Sequence, residues 1–125
     1  MSQDMYKANI LDHYKHPRNY GTIDGVENHA HVSNPLCGDE LDVYLALDER
    51  GRVTDIKFTG RGCTISMAAA SMLTEKILTM NQAGIDKLTT DDIMKLLGVV
   101  VNPARLKCAT LSLKAVQQAL HHHHV

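Results

Sequence analysis

The chain has 125 residues, a formal net charge of -1 and a 44% apolar content, which suits one compact domain and leaves no room for two independent cores. That balance provides no basic field for a nucleic-acid backbone or an anionic membrane, and one Phe, four Tyr and no Trp provide no stacking surface for bases. The opening MSQDMYKANI lacks the charged start and long apolar run of a secretion signal, and no later stretch is long and apolar enough to span a bilayer, so a cytoplasmic protein is expected.

In chain order, residues Asp4 to Lys15 place Met5, Ile10 or Leu11 and Tyr14 at helical intervals, and Pro17 ends the pattern. His29, His31 and Ser33 alternate with Ala30, Val32 and Asn34, which predicts an edge strand ending at Pro35. Leu41, Val43, Leu45 and Leu47 alternate with more polar neighbours, DERG supplies a turn, and Val53 to Thr59 carries Ile56 and Phe58 on one face, so these two stretches predict an antiparallel hairpin. Thr64 to Met80 has no Pro or Gly and sets Ile65, Ala69, Met72, Ile77 and Met80 as the stripe of a long buried helix. Thr90 is the expected cap of a short helix that Gly98 stops. Asn102 and Pro103 open a last helix running through Leu106, Ala109, Leu113, Val116 and Leu120. The expected fold is α+β, with a small three-stranded antiparallel sheet packed against helices, in a single domain over residues 1–120. Residues 121–125 hold the run His121 to His124, read as a tag or a frayed tail that binds metal regardless of the fold.

The three cysteines stand at junctions of these elements: Cys37 before one strand, Cys63 at a strand-to-helix turn and Cys108 in the first turns of the last helix. An antiparallel hairpin brings the start of its first strand to the end of its second, so Cys37, Asp39 and Cys63 share one end of the sheet. Helix N-termini favour thiolate over thiol, which makes a cysteine there a better metal ligand and a better nucleophile. Glycines beside Cys37 and Cys63 let the backbone approach a bulky group closely and donate N–H groups to it. Each cysteine alone would pass for a small buried hydrophobe, and Asp39 for a turn residue. Three at element ends, two flanked by Gly and one followed two positions later by a carboxylate, are not the pattern of core filler.

The stretches NPLCGD, GRGCTIS and RLKCATL, with the opening DHYKHPRNYG, resemble the motifs of the IscU/SufU/NifU N-terminal family of iron-sulfur cluster assembly scaffolds, from about Tyr6 to about Leu120. The 26-position interval from Cys37 to Cys63 agrees with that resemblance. It implies a SufE/NifU-like fold and a scaffold that takes sulfur as persulfide from a cysteine desulfurase and iron from a donor, builds a 2Fe-2S cluster and passes it to apoprotein recipients. It also implies that Cys37, Asp39, Cys63 and Cys108 are the ligands, with Zn2+ able to fill the same site. Two features depart from the family's branches. Lys107 stands where the IscU branch has histidine, and Asn102 to Leu106 replaces the LPPVK segment read by an Hsp70-type chaperone, so neither that ligand nor that partner carries over. The 45 positions from Cys63 to Cys108 are too few to hold the extra segment of the SufU branch.

Two functions follow: a non-catalytic cluster scaffold, and a zinc-bearing persulfide relay with sulfurtransferase activity. A zinc-stabilised structural domain would leave Asp39 and the glycine loops unexplained. Cys37 is the expected persulfide acceptor because it sits on a loop, and Cys108, beside Lys107, is the competing one. Lys107 is either a steering charge or an ordinary helix lysine, and Arg61 either a turn residue or a partner contact. His13 and His16 on the first helix, and His29 and His31 on one strand face, are expected to be solvated surface residues.

Overall fold

A computed structural model describes residues 3–35 and 38–121. The elements run α1 (Gln3–Lys15), β1 (Asn28–Asn34), β2 (Asp39–Leu47), β3 (Val53–Arg61), α2 (Thr64–Ile77), α3 (Gln82–Asp86), α4 (Thr90–Leu97) and α5 (Pro103–His121). The strands form one antiparallel sheet in the order β1-β2-β3. Period-two alternation decides which face is covered: Ala30, Val32, Leu41, Val43, Leu45, Val53, Ile56 and Phe58 are buried, while residues between them stay partly or fully exposed. Helix α5 lies across β1 and β2, α2 packs beside it and against β3, and α1 covers the outer side of α2. Small buried residues at the helix interface, among them Ala69 on α2 and Ala109 and Ala115 on α5, let the two backbones approach closely. Complete burial of Phe58 contributes roughly 1.5–3 kcal/mol relative to leaving it in water.

Element ends follow local chemistry. Asn102 caps α5 through its Oδ1, which accepts from the Arg105 N–H at 2.9 Å, with Pro103 in the first helical position. Gly98 ends α4 in the left-handed conformation, φ 73°. The cap of α4 is Thr89, one residue earlier than expected: the Asp92 carboxylate accepts from the Thr89 N–H at 2.8 Å, closing a capping box. Helix α2 stops at Ile77 instead of continuing to Met80, because the chain beyond it satisfies backbone groups at the start of β3. Thr79 N–H donates to the Val53 carbonyl (2.9 Å), and Val53 N–H donates to the Met80 carbonyl (3.0 Å). Short α3, capped by Asn81, follows and was not foreseen.

The segment after α1 is a staple. Asp12 pairs with Arg18, the Arg18 N–H donates to Ser71 Oγ (2.8 Å), Asn19 Nδ2 donates to Thr74 Oγ1 (3.0 Å), and Asn19 and Gly21 exchange backbone bonds with Phe58. His13 belongs to this staple and is not a surface residue: it is 6% exposed, with Nδ1 2.7 Å from Ser71 Oγ. Burial chiefly, with Arg18's charge, holds its imidazole below the ordinary value of 6.5. His16 is exposed, as expected. The last helix runs one residue past Leu120, where His121 Nε2 meets the Asp86 carboxylate at 2.9 Å; His122 to His124 fall outside the described residues.

Candidate metal centre

The register of β2 against β3 builds the centre. Glu40 pairs with Arg61 and Leu41 with Gly60, which sets Asp39 against Gly62 and Cys63 as the chain leaves the sheet for α2. Gly60 has no alternative, since a Cβ there would lie 2.2 Å from the Glu40 carbonyl oxygen. Gly62 is equally constrained: its Cβ would stand 2.3 Å from Ser66 Oγ and 2.8 Å from Asp39 Oδ1. Arg61 between them points outward to a 3.4 Å ion pair with Glu40.

Cys63 is the N-cap of α2, and its Sγ accepts from the Ser66 N–H at 3.5 Å. Its own N–H donates to Asp39 Oδ1 at 3.1 Å. Asp39 is only 2% exposed, and its Oδ2 is buried with no hydrogen-bond partner among the described residues. A buried carboxylate oxygen left that way is costly in a finished core and is what a cation site requires. Cys108 comes from the other side, on α5, 4% exposed. It is the sixth residue of its helix, beyond the first turn where the dipole acts, so of the two cysteines only Cys63 stands at a helix start. Ligand atoms of Asp39, Cys63 and Cys108 all lie within 4.8 Å of one another.

These three expected site residues are therefore together, at the sheet end where the hairpin argument placed two of them. The fourth, Cys37, lies outside the described residues. Asp39 and Cys108 are buried, where the start of α5 packs over the start of β2, and Cys63 is the half-exposed member. Two thiolates and a carboxylate suit zinc, whose sulfur ligands at 2.3 Å stand about 3.8 Å apart in a tetrahedron, so closing the group onto an ion needs only a small contraction. Lys107 is exposed on α5 and lines, with Ser33, Asn34, Pro35 and Lys114, a groove of about 270 Å³.

Ser66 went unnoticed in the sequence, although GRGCTIS contains it. It is fully buried, donates its hydroxyl to the Cys63 carbonyl (3.0 Å), and fills the space a Gly62 side chain would need. The acid beside His29 and His31 was missed as well, because it lies across the sheet: His29 Nε2 is 2.9 Å from Asp42 Oδ1 and His31 Nδ1 is 3.1 Å from Asp42 Oδ2. His31 is exposed as expected, whereas His29 is half-buried against Tyr44.

No described helix is long and apolar enough to cross a membrane. Residues 5–125 match the family described as NifU-like N terminal domain. The chain is 40% identical to the zinc-dependent sulfurtransferase SufU of Bacillus subtilis (strain 168), over 93% of this chain and 89% of that protein. It is 33% identical to the iron-sulfur cluster assembly scaffold protein IscU of Streptococcus pyogenes serotype M1, over 93% and 82%. A crystal structure of a hypothetical protein superposes with a TM-score of 0.83 at 31% identity, covering 96% of this chain and 99% of that one. The alignment with SufU has 134 positions but spans only 93% of 125 residues, so that relative carries about 18 residues without counterpart here. With its family motifs, its three-stranded sheet and these matches, the chain belongs to the IscU/SufU/NifU N-terminal family.

Proposed function

We propose that the protein is a scaffold for iron-sulfur cluster assembly, with Asp39, Cys63 and Cys108, joined by Cys37 from the NPLCGD motif, as the groups that hold the cluster. The observation that carries this reading is the convergence at one sheet end of two thiols and a buried carboxylate oxygen that has no partner among the described residues. The cluster is cargo, and the division of labour among the residues follows from their settings. Cys63, fixed as an N-cap and facing the free N–H groups of α2, is held in place as a thiolate ligand. Cys108 is anchored by a packed helix. Asp39 is a harder and weaker ligand for iron-sulfur than thiolate, which favours release of the cluster to a recipient.

Sulfur arrives as a persulfide on a cysteine desulfurase. A thiolate of this chain attacks the terminal sulfur, forming the new S–S bond while the donor's S–S bond breaks and its cysteine leaves as thiolate. Ferrous iron, a thiol-class or ferredoxin-class reductant that supplies the remaining electrons needed to bring persulfide sulfur to sulfide, and apoprotein recipients complete the set of partners.

A second reading, a zinc-bearing persulfide relay, is favoured by the 40% identity to a zinc-dependent sulfurtransferase. Zinc on these residues would neutralise and orient the thiolates. The two readings separate in anaerobic reconstitution with desulfurase, cysteine and ferrous iron. Absorption bands of a 2Fe-2S cluster, with equal iron and sulfide counts, support the scaffold. Persulfide on the chain without cluster, zinc retained, overturns it in favour of the relay.

A further inference from the structure

The face of the sheet turned away from the helices carries a second cluster of metal-ligating groups. His29 and His31 stand two apart on β1 and so project from one face. His31 pairs across the sheet with Asp42 on β2, and His29 pairs with Tyr44, whose ring lies flat against the imidazole (centroids 4.5 Å apart, planes within 7°). Both rings aim a nitrogen at the same carboxylate, one at each oxygen, at 2.9 and 3.1 Å. On the far side of β2, Asp42 faces the neutral Thr59, so its ion-pair partners are the two imidazoles.

We propose that His29 Nε2, His31 Nδ1 and the Asp42 carboxylate form a solvent-facing site for a divalent d-block cation of the zinc class, separate from the cysteine centre. Two imidazoles and a carboxylate select such ions over Mg2+ and Ca2+, which prefer all-oxygen sites. Ligands bound to one ion at 2.0–2.2 Å stand about 3 Å from each other; each ring nitrogen keeps that separation from its own Asp42 oxygen, but the three donor atoms do not all lie within 4.8 Å of one another, so binding has to draw the two imidazoles together. Binding requires the ring proton of each neutral imidazole to sit on its other nitrogen and the carboxylate to turn so that the ion replaces the two hydrogen bonds. Tyr44 restrains one ring beforehand, which lowers the ordering cost. The cysteine centre is distinct: Asp42 lies three residues along β2 from Asp39, about 10 Å, and on the opposite face. The site leaves coordination positions open to water and is therefore a place of labile binding.

The test is long-range 1H–15N spectroscopy of the histidine rings in the full chain, titrated at pH 7.5 with Zn2+ past the first equivalent. Ring lines of each histidine resolve separately, so the C-terminal histidines cannot stand in for the strand pair. The expected result is a metal-induced shift of His29 Nε2 and His31 Nδ1, at least tenfold weaker binding in Asp42→Asn and in His31→Gln, and an unchanged backbone spectrum in both variants. Rings that stay unmoved while the C-terminal histidines take up zinc would overturn the proposal. So would shifts that persist undiminished in Asp42→Asn, since the carboxylate would then be no ligand.

Discussion

The N–H of Cys63 donates to Oδ1 of Asp39 at 3.1 Å, so one oxygen of the buried carboxylate is spent on fixing the turn that presents Cys63, and the other is left facing the thiols. The bond ties the start of β2 to the start of α2 and makes the ligand geometry a property of the sheet register. Whatever disturbs the Gly60-Arg61-Gly62 stretch is transmitted to the metal centre.

Gly62→Ala tests that link. The added methyl meets Ser66 Oγ at 2.3 Å and Asp39 Oδ1 at 2.8 Å, both atoms of buried residues, so one of them must move. Overpacking of this kind costs about 1–3 kcal/mol. The variant is expected to unfold several degrees lower and to bind zinc more weakly. Adding Ser66→Ala removes the nearer obstacle and should recover part of both losses. Full zinc affinity in Gly62→Ala, measured by competition with a chromophoric chelator, would show the glycine to be dispensable.

Asp39→Cys replaces a hard oxygen with a third described thiolate. The reconstituted cluster should become more inert, with transfer to an apo-ferredoxin slowed roughly tenfold, about 1.4 kcal/mol of barrier. Transfer at the parent rate would mean that the carboxylate does not set cluster lability.

The alternation in β2 and β3 and the Asn102-Pro103 start of α5 were legible because they depend on neighbours in sequence, and so was the sheet-end location of Asp39 and Cys63, which follows from hairpin pairing. What could not be read depended on distant contacts. His13 looks like a surface helix residue until Ser71, 58 positions away, is placed against it. The end of α2 is decided by Val53, not by any breaker near Ile77. Gly98 announced itself as a helix stop, yet the Tyr6 ring that occupies the space beside it, 1.9 Å from where a Cβ would be, left no trace in the local pattern.

His13 makes stability depend on pH. Ser71 Oγ accepts the Arg18 N–H and lies 2.7 Å from His13 Nδ1, and His13 Nε2 lies 3.6 Å from the Glu75 carboxylate. Burial and Arg18 lower the folded-state value below 6.5, so the unfolded chain binds the proton more readily and stability rises with pH across this window. Stability is therefore full above about pH 6.5 and falls as the pH is lowered towards the folded-state value. The depressed carboxylates of Asp12, Asp48 and Asp92 act only nearer 3.8, so the windows are separate. Urea unfolding between pH 7.5 and 5.0 should show this loss, and His13→Asn, which keeps a polar group beside Ser71 but cannot charge, should flatten it. An equal slope in the variant would assign the effect elsewhere.

The remaining prediction concerns which thiol receives sulfur. Persulfide transfer needs a thiolate that a donor loop can reach and attack in line. Cys108 is 4% exposed on a packed helix, and Cys63 is committed as the cap of α2, with its sulfur taking the Ser66 N–H. That leaves Cys37 as the expected acceptor, even though Lys107 beside Cys108 offers a positive charge that would favour a thiolate there. Lys107 lines the groove with Ser33, Asn34 and Pro35, the described residues that precede Leu36 and Cys37 in the sequence. Three variants, each retaining a single cysteine, are incubated with desulfurase and cysteine and weighed by mass spectrometry. A gain of one sulfur on the Cys37-only chain, with roughly tenfold less on the Cys108-only chain, is the expected outcome, since about 1.4 kcal/mol of accessibility difference suffices for that ratio. In the otherwise intact chain, Lys107→Ala should slow loading of Cys37 more at low ionic strength than at high, because an exposed charge acts through a screened field. Sulfur found on Cys108 alone would reverse the assignment and require α5 to open at its first turns during transfer.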